Sequence, residues 1–137
     1  MVEGYLVLAG SAELSANHLV SALGLNWSHV PSPAPPHVLL VFLRVPWTEA
    51  ERFIAWRVEL FDADGQSVAR NGDGPALGRE GLLTIGRPDD WPVGMALDHT
   101  QLCHVGAGLG LTGGEVYEWR LFVEDRHLAS RSFYVRG

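Results

Sequence analysis

The chain has 137 residues, of which 47% are hydrophobic, and a formal net charge of −6 from ten basic and sixteen acidic residues. This length predicts a single domain, residues 1–137, that buries roughly two thirds of its unfolded surface. All ten basic residues are arginines scattered among acids. Nucleic-acid binding is therefore not expected, because it requires a concentrated basic patch.

Cys103 is the only cysteine, so the chain cannot form an internal disulfide and a reducing, cytoplasmic location is expected. No apolar run reaches the ~18–20 residues needed to cross a bilayer, so no membrane partner is expected. Residues 5–9 are apolar, but no basic segment precedes them and they are too few for a secretory signal. We interpret them as the first strand.

Residues 13–25 allow two interpretations. Leu14, His18 and Ala22 lie at helical spacing, which favours a helix. Alternatively, Asn17 marks a turn, and residues 18–27 form a strand that pairs back on the first. Periodicity alone leaves both open.

A proline-rich segment, residues 31–36, follows and is stiffened toward polyproline II. Pro33 and Pro36 formally make a PxxP ligand motif. A rigid crossover between two strands is the favoured interpretation.

Residues 37–65 are the central stretch of the chain, and we predict that they form a hairpin. Residues 38–45 are apolar except for Arg44, which favours a strand buried on both faces. The next strand alternates: Ile54, Trp56 and Val58 share one face, because successive strand residues point to opposite sides. Residues 62–65, DADG, then supply the chemistry of a tight turn.

The second half of the chain is also predicted to be strands and loops. Strands are predicted at residues 66–70, 81–86 and 95–105, followed by a glycine-dense loop at 106–114. A final hairpin runs from Tyr117 through a turn to residues 128–135. Alternation in its second strand would bury Arg131, which indicates a bulge or a strand end there.

These elements predict an all-β fold, an immunoglobulin-like two-sheet antiparallel β-sandwich of about eight or nine strands. Regular turn signals and the lack of a long helical pattern favour this class. Tyr117 follows Gly113 and Gly114 near the start of a strand. Its position is similar to that of the tyrosine corner of immunoglobulin-like domains.

Three segments resemble a known family: YLVLAGSAEL…LGLNW, LRVPWTEAERFIAWRVELFDADGQSV and GEVYEWRLFVEDRHLASRSFYV. The family comprises small bacterial proteins of actinobacterial type and is classed as a domain of unknown function. The resemblance covers nearly the whole chain and implies a single immunoglobulin-like sandwich. It favours strand over helix for residues 18–27. It supplies no catalytic residues.

Three sets of residues are candidate cofactor or metal sites. Residues 108–113 satisfy GxGxxG, but a strand rather than a helix follows them, so a connecting loop is favoured. His99, Cys103 and His104 are potential zinc ligands; on a strand, His104 points away from the other two, and zinc needs three or four convergent donors. Turn chemistry explains Asp62 and Asp64 better than calcium binding does. The other acids considered for a calcium site are Asp73, Asp89, Asp90 and Asp98.

No catalytic motif is present, so we predict no enzymatic activity, no catalytic residues and no cofactor. Trp56 and Trp119 fit inward faces and are predicted to be core residues. Five other aromatics form the candidate interaction surface, because exposed aromatic residues are enriched at binding hot spots: Trp27, Trp47, Trp91, Phe53 and Phe122.

The sequence therefore predicts a non-catalytic interaction or scaffold module, with a homodimer or another protein as the candidate assembly. A first alternative is binding of a small ligand or carbohydrate near Trp47 and Trp91. A second is a metal-dependent enzyme that uses His99 and Cys103 or the loop carboxylates.

Overall fold

The computed structural model describes residues 1–17, 19–69 and 76–137. These residues form ten strands and a single short 3₁₀ turn, Trp47–Glu49, and the prediction of an all-β fold is confirmed. None of these ranges contains a helix with the length and apolarity to cross a bilayer. The strands are β1 Glu3–Ala9, β2 Ser11–Leu14, β3 Val20–Leu23, β4 His29–Val30, β5 His37–Val45, β6 Phe53–Asp62, β7 Gly78–Thr84, β8 Leu97–Val105, β9 Val116–Val123 and β10 Arg126–Val135.

The strands form two principal sheets that enclose one core. The three-stranded sheet has the order β1-β5-β8, and the five-stranded sheet has the order β4-β10-β9-β6-β7. All neighbours are antiparallel except β4, which runs parallel to β10. Leu39, Leu43, Leu60 and Leu121 are at most 2% exposed and belong to one cluster built from both sheets. Each such side chain contributes about 1.5–3 kcal/mol by burial.

The predicted hairpin between β5 and β6 is wrong. β5 pairs with β1 and β8, whereas β6 pairs with β7 and β9 in the other sheet. Residues 46–52, with the 3₁₀ turn, carry the chain from one sheet to the other. Both strands were identified correctly, but alternation describes which way side chains point and not which strand lies alongside.

Residues 11–14 and 20–23 are strands, so the helical interpretation of this segment is wrong. β2 pairs with β3 to form a separate two-stranded ribbon, with Asn17 in its turn and His18 outside the described residues. β3 therefore pairs with β2, not with β1. Ala12, Val20 and Ala22 of the ribbon pack against Val38 and Leu40, on the outer face of the three-stranded sheet. This cover explains why β5 is apolar on both faces.

Other predicted boundaries shift. Residues 66–69 make only isolated bridges, Phe61 with Ser67 and Ala69 with Ala76, while Arg70 lies outside the described residues. β7 begins at Gly78, three positions before the predicted strand. Residues 106–114 form a loop, as predicted.

The last hairpin, β9–β10, is confirmed. Its turn places Glu124 and Asp125 at φ of 51° and 62°, as the favoured two-residue hairpin turns require. A bulge lies between His127 and Ala129 and not at Arg131, where a bulge or strand end was predicted; Arg131 pairs regularly with Trp119, and β10 continues to Val135. Arg131 is exposed, and its Nε donates a hydrogen bond to the Leu6 carbonyl at 2.8 Å, which links β10 to β1.

Tyr117 fixes the loop that precedes β9. Its hydroxyl oxygen accepts a hydrogen bond from the Thr112 backbone N–H at 2.9 Å, and the side chain is buried against Phe133. This bond connects the glycine-dense loop to a core residue that lies five positions further along the chain.

Candidate interaction surfaces

The outer side of the five-stranded sheet carries a surface of alternating arginine and apolar side chains. Period-two alternation buries Ile54, Trp56 and Val58 of β6 and directs the intervening side chains outward. The same alternation acts on β7 and β9. We call this surface the Arg–Phe face, and it consists of Phe53, Ala55, Arg57, Phe61, Leu82, Arg120 and Phe122.

Two cation–π contacts organise the Arg–Phe face. The guanidinium carbon of Arg57 lies 3.9 Å from the Phe122 ring centroid, and that of Arg120 lies 4.1 Å from the Phe61 centroid. The two phenyl rings are 6.3 Å apart. Arg120 also donates to Glu118 at 2.6 Å. Such contacts contribute about 0.5–1 kcal/mol at exposed sites and hold long side chains in defined positions.

An open groove of about 490 Å³ lies at the β7 edge of the Arg–Phe face. Its walls combine apolar and charged groups. Leu82, which lines the groove, is 68% exposed, and Phe53, at the start of the neighbouring strand β6, is 74% exposed. Gly81 faces Trp56, where an added Cβ would lie 3.1 Å from the indole, so a larger residue would crowd the core. The principal lining residues are Ala55, Arg57, Glu80, Leu82, Phe122 and Glu124.

The predicted interaction surface is divided among several environments. Phe53 and Phe122 lie on the Arg–Phe face. Trp27 packs edge-on against His37, with ring centroids 5.0 Å apart, near the start of β5. Trp47 follows the end of β5, and Arg87 lies 4.4 Å above its ring. Trp91 Nε1 donates to the Met95 carbonyl at 2.9 Å. Trp27 and Trp47 therefore lie at opposite ends of β5, not on one surface.

Trp56 and Trp119 are core residues, 7% and 2% exposed. Trp119 also makes a buried polar contact: its indole N–H donates to His37 Nε2 at 3.1 Å. His37 Nδ1 lies 3.1 Å from the Pro35 carbonyl. These partners fix a neutral imidazole with its proton on Nδ1. Burial lowers the pKa of His37, which matches this neutral, structural role.

The His99, Cys103 and His104 side chains do not converge. Cys103 is paired with Leu39 on the inner face of the sheet, and His104 is paired with Val38 on the outer face. Burial raises the pKa of the Cys103 thiol to about 11 and lowers the pKa of His99. A protonated, buried thiol is a weak nucleophile and a weak metal ligand.

No group of three potential His, Cys, Asp or Glu metal ligands occurs within the described ranges. Asp62 Oδ1 accepts hydrogen bonds from the N–H groups of Asp64 and Gln66, both at 2.9 Å, which is the turn chemistry predicted for residues 62–65. Asp98 pairs with Arg44. Asp73 lies outside the described residues.

Sequence reasoning missed Arg57, Arg120 and Leu82 as parts of a surface. The alternation in β6 and β9 placed both arginines outward. Their stacking depends on the register, in which Arg57 lies opposite Phe122 and Glu59 opposite Arg120.

Comparison of the chain with family models, curated proteins and solved structures gave no match.

Proposed function

We propose that this chain is a non-catalytic interaction domain of immunoglobulin-like topology that self-associates through the Arg–Phe face. The observation that carries this proposal is the exposed pair Phe53 and Leu82 beside a groove walled by Phe122 and Arg57. A reducing compartment is part of the proposal, since the single Cys103 is an unpaired, buried thiol.

The strand order supports the immunoglobulin-like topology. β1, β5 and β8 correspond in order to strands A, B and E, and β6, β9 and β10 correspond to C, F and G. β7 adds to the second sheet beside β6, as strand C′ does in variable-type domains. The Tyr117 hydroxyl bond near the start of β9 matches the tyrosine corner.

The geometry of the nucleophilic and basic groups supports a non-catalytic role. Cys103 and His104 point to opposite faces of their sheet, so they do not form a nucleophile–base pair. His37 is locked between Trp119 and Pro35 and is 3% exposed, so it has no access to a substrate.

The Arg–Phe face has the composition of an interface between identical copies. Aromatic residues and arginine are enriched at interface hot spots, and a two-fold interface must be complementary to itself. The groove contains side chains of both charges, because Arg57 lines it together with Glu80, Glu124 and Asp125. In a two-fold pair, the arginine of each copy meets acids of the other around the apolar centre at Phe53 and Leu82.

Light scattering coupled to size-exclusion chromatography tests this proposal. The native chain is expected to reach the mass of a dimer as its concentration rises, and a Phe53→Asp/Leu82→Asp variant is expected to remain monomeric. Leu23→Asp is the matched control, because Leu23 is 75% exposed but lies on the ribbon. A native chain that stays monomeric at every concentration would contradict self-association, and a dimer that survives in the Phe53/Leu82 variant would place the interface elsewhere.

A further inference from the structure

A second concave surface lies on the outer side of the three-stranded sheet, away from the Arg–Phe face. It is a trough of about 570 Å³, within the size range of small-molecule sites. The ribbon buries Val38 and Leu40 on this side of the sheet but leaves Tyr5 57% exposed. The trough is lined mainly by Glu3, Tyr5, Phe42, Arg44, Asp98 and Thr100.

Strand register arranges the trough in two parallel rows. Tyr5, Phe42 and Thr100 lie side by side across β1, β5 and β8. Glu3, Arg44 and Asp98 form the neighbouring row on the same three strands. The rows are separated by two residues along each strand, about 7 Å. An aromatic row and a charged row therefore stand next to each other on one face.

The aromatic row is a platform of two stacked rings. The Tyr5 and Phe42 centroids are 4.8 Å apart, with 20° between the ring planes. Because Phe42 supports Tyr5 from the neighbouring strand, the platform is held in place without a ligand. An aromatic face is negative and attracts the weakly positive hydrogens of C–H groups.

The charged row presents donors and acceptors in fixed positions. Arg44 Nε and Nη2 donate to the two Asp98 carboxylate oxygens at 2.8 and 3.2 Å, a bidentate pair. Arg44 has further N–H donors, and the carboxylate has further acceptor sites. The two carboxylates of Glu3 and Asp98 and the single guanidinium of Arg44 give this row a net charge of −1.

We propose that this trough binds a pyranose ring of a neutral saccharide, with the C–H face of the sugar on Tyr5 and its hydroxyls on Arg44 and Asp98. A sugar has one apolar face and a rim of groups that both donate and accept hydrogen bonds, which matches the two rows. A wholly apolar occupant would desolvate the Arg44–Asp98 pair without replacing its bonds to water. The net negative charge disfavours acidic sugars and phosphates.

Native affinity electrophoresis in gels that contain a β-glucan, xylan, galactomannan, glycogen or alginate tests the proposal. At least one neutral polysaccharide is expected to retard the chain, and acidic alginate is expected to retard it least. Tyr5→Ala is expected to weaken the retarding interaction roughly tenfold or more, whereas Tyr5→Phe keeps the ring and the binding. Tyr134→Ala is the control, because Tyr134 is exposed on the other sheet.

Asp98→Asn gives an independent variant if Tyr5→Ala fails to fold, and it is expected to weaken binding because it removes the charged partner of Arg44. No retardation by any of the four neutral polysaccharides would overturn the proposal. The proposal would also be overturned if Tyr5→Ala and Asp98→Asn were both retarded as strongly as the native chain. It would be overturned as well if alginate retarded the native chain more than any neutral polysaccharide did. The monomeric Phe53→Asp/Leu82→Asp variant is expected to bind like the native chain, which separates this site from self-association.

Discussion

Acidification is expected to destabilise the fold through His37. The imidazole is 3% exposed and is enclosed by the rings of Trp27, Trp119 and Phe133. It accepts the Trp119 indole N–H at Nε2. Protonation would give the ring a second N–H, at Nε2, where it would face the indole N–H donor, and it would bury a charge among aromatic rings.

The magnitude follows from linkage between protonation and folding. Burial lowers the pKa of His37 below the ordinary 6.5 that applies to the unfolded chain. The unfolded chain therefore binds the proton more readily, and the free energy of unfolding falls as the pH falls below 6.5. The slope approaches about 1.4 kcal/mol per pH unit while the native imidazole stays neutral. Between pH 7.5 and 5.0 the loss reaches about 2 kcal/mol at most. Above pH 7.5 this contribution to stability is fully present.

Urea unfolding of the native chain and of His37→Gln, followed by far-ultraviolet circular dichroism at several pH values from 7.5 to 5.0, measures this loss. His37→Gln is expected to be less stable at pH 7.5, by about 1–3 kcal/mol, because Trp119 and Pro35 lose well-aligned partners. It is also expected to show a flatter pH dependence. His99→Gln is the control. Burial lowers the pKa of His99 as well, so this residue adds its own loss of stability at low pH, and the variant separates that loss from the loss caused by His37. The reasoning about His37 would be refuted if His37→Gln retained the full slope of the native chain.

Three further predictions concern packing and reactivity. Tyr117→Phe should lower the free energy of unfolding by about 1 kcal/mol because the Thr112 N–H loses its acceptor, while Tyr134→Phe, at an exposed position, should change it little; urea unfolding at pH 7.5 measures both. Gly78→Ala should lower the free energy of unfolding by about 1–3 kcal/mol, because an added Cβ would lie 2.4 Å from the Val58 carbonyl oxygen. Gly86→Ala is the control, because an added Cβ has open space there. Equal melting temperatures for the two variants would contradict this expectation. Cys103 should react slowly with iodoacetamide at pH 8 in the folded chain and rapidly in urea, since the residue is 1% exposed and burial raises the pKa of its thiol to about 11. Fast labelling of the folded chain would show that the thiol is accessible.

Individual strands could be identified from local patterns. In β6 and β9, apolar side chains alternate with polar ones because one face of each strand packs against the core, so Trp56 and Trp119 were correctly predicted to be buried. The turn at residues 62–65 was also predictable, because the Asp62 carboxylate accepts hydrogen bonds from Asp64 and Gln66, which are close to it in the sequence. Both kinds of signal can be read from residues that lie close together in the sequence.

The candidate site was only partly predictable. Phe53 and Phe122 were placed outward by alternation. Trp27 lies outside the strands, and a loop residue has no periodicity that distinguishes packing against His37 from exposure. Tyr5 and Phe42 lie in strands whose alternation is masked by apolar residues on both faces, so their shared platform was not foreseen.

The sequence by itself determined that the chain is all-β, where most strands lie and which side chains of β6 and β9 face the core, since these properties follow from side-chain period and turn chemistry. Tertiary structure decided that β5 and β6 lie in different sheets and that the ribbon covers Val38 and Leu40. It also decided that Arg57 stacks on Phe122 and that Arg44 meets Asp98. The physical reason is that strand pairing joins residues far apart in the chain, and its register is set by how all the faces are buried together.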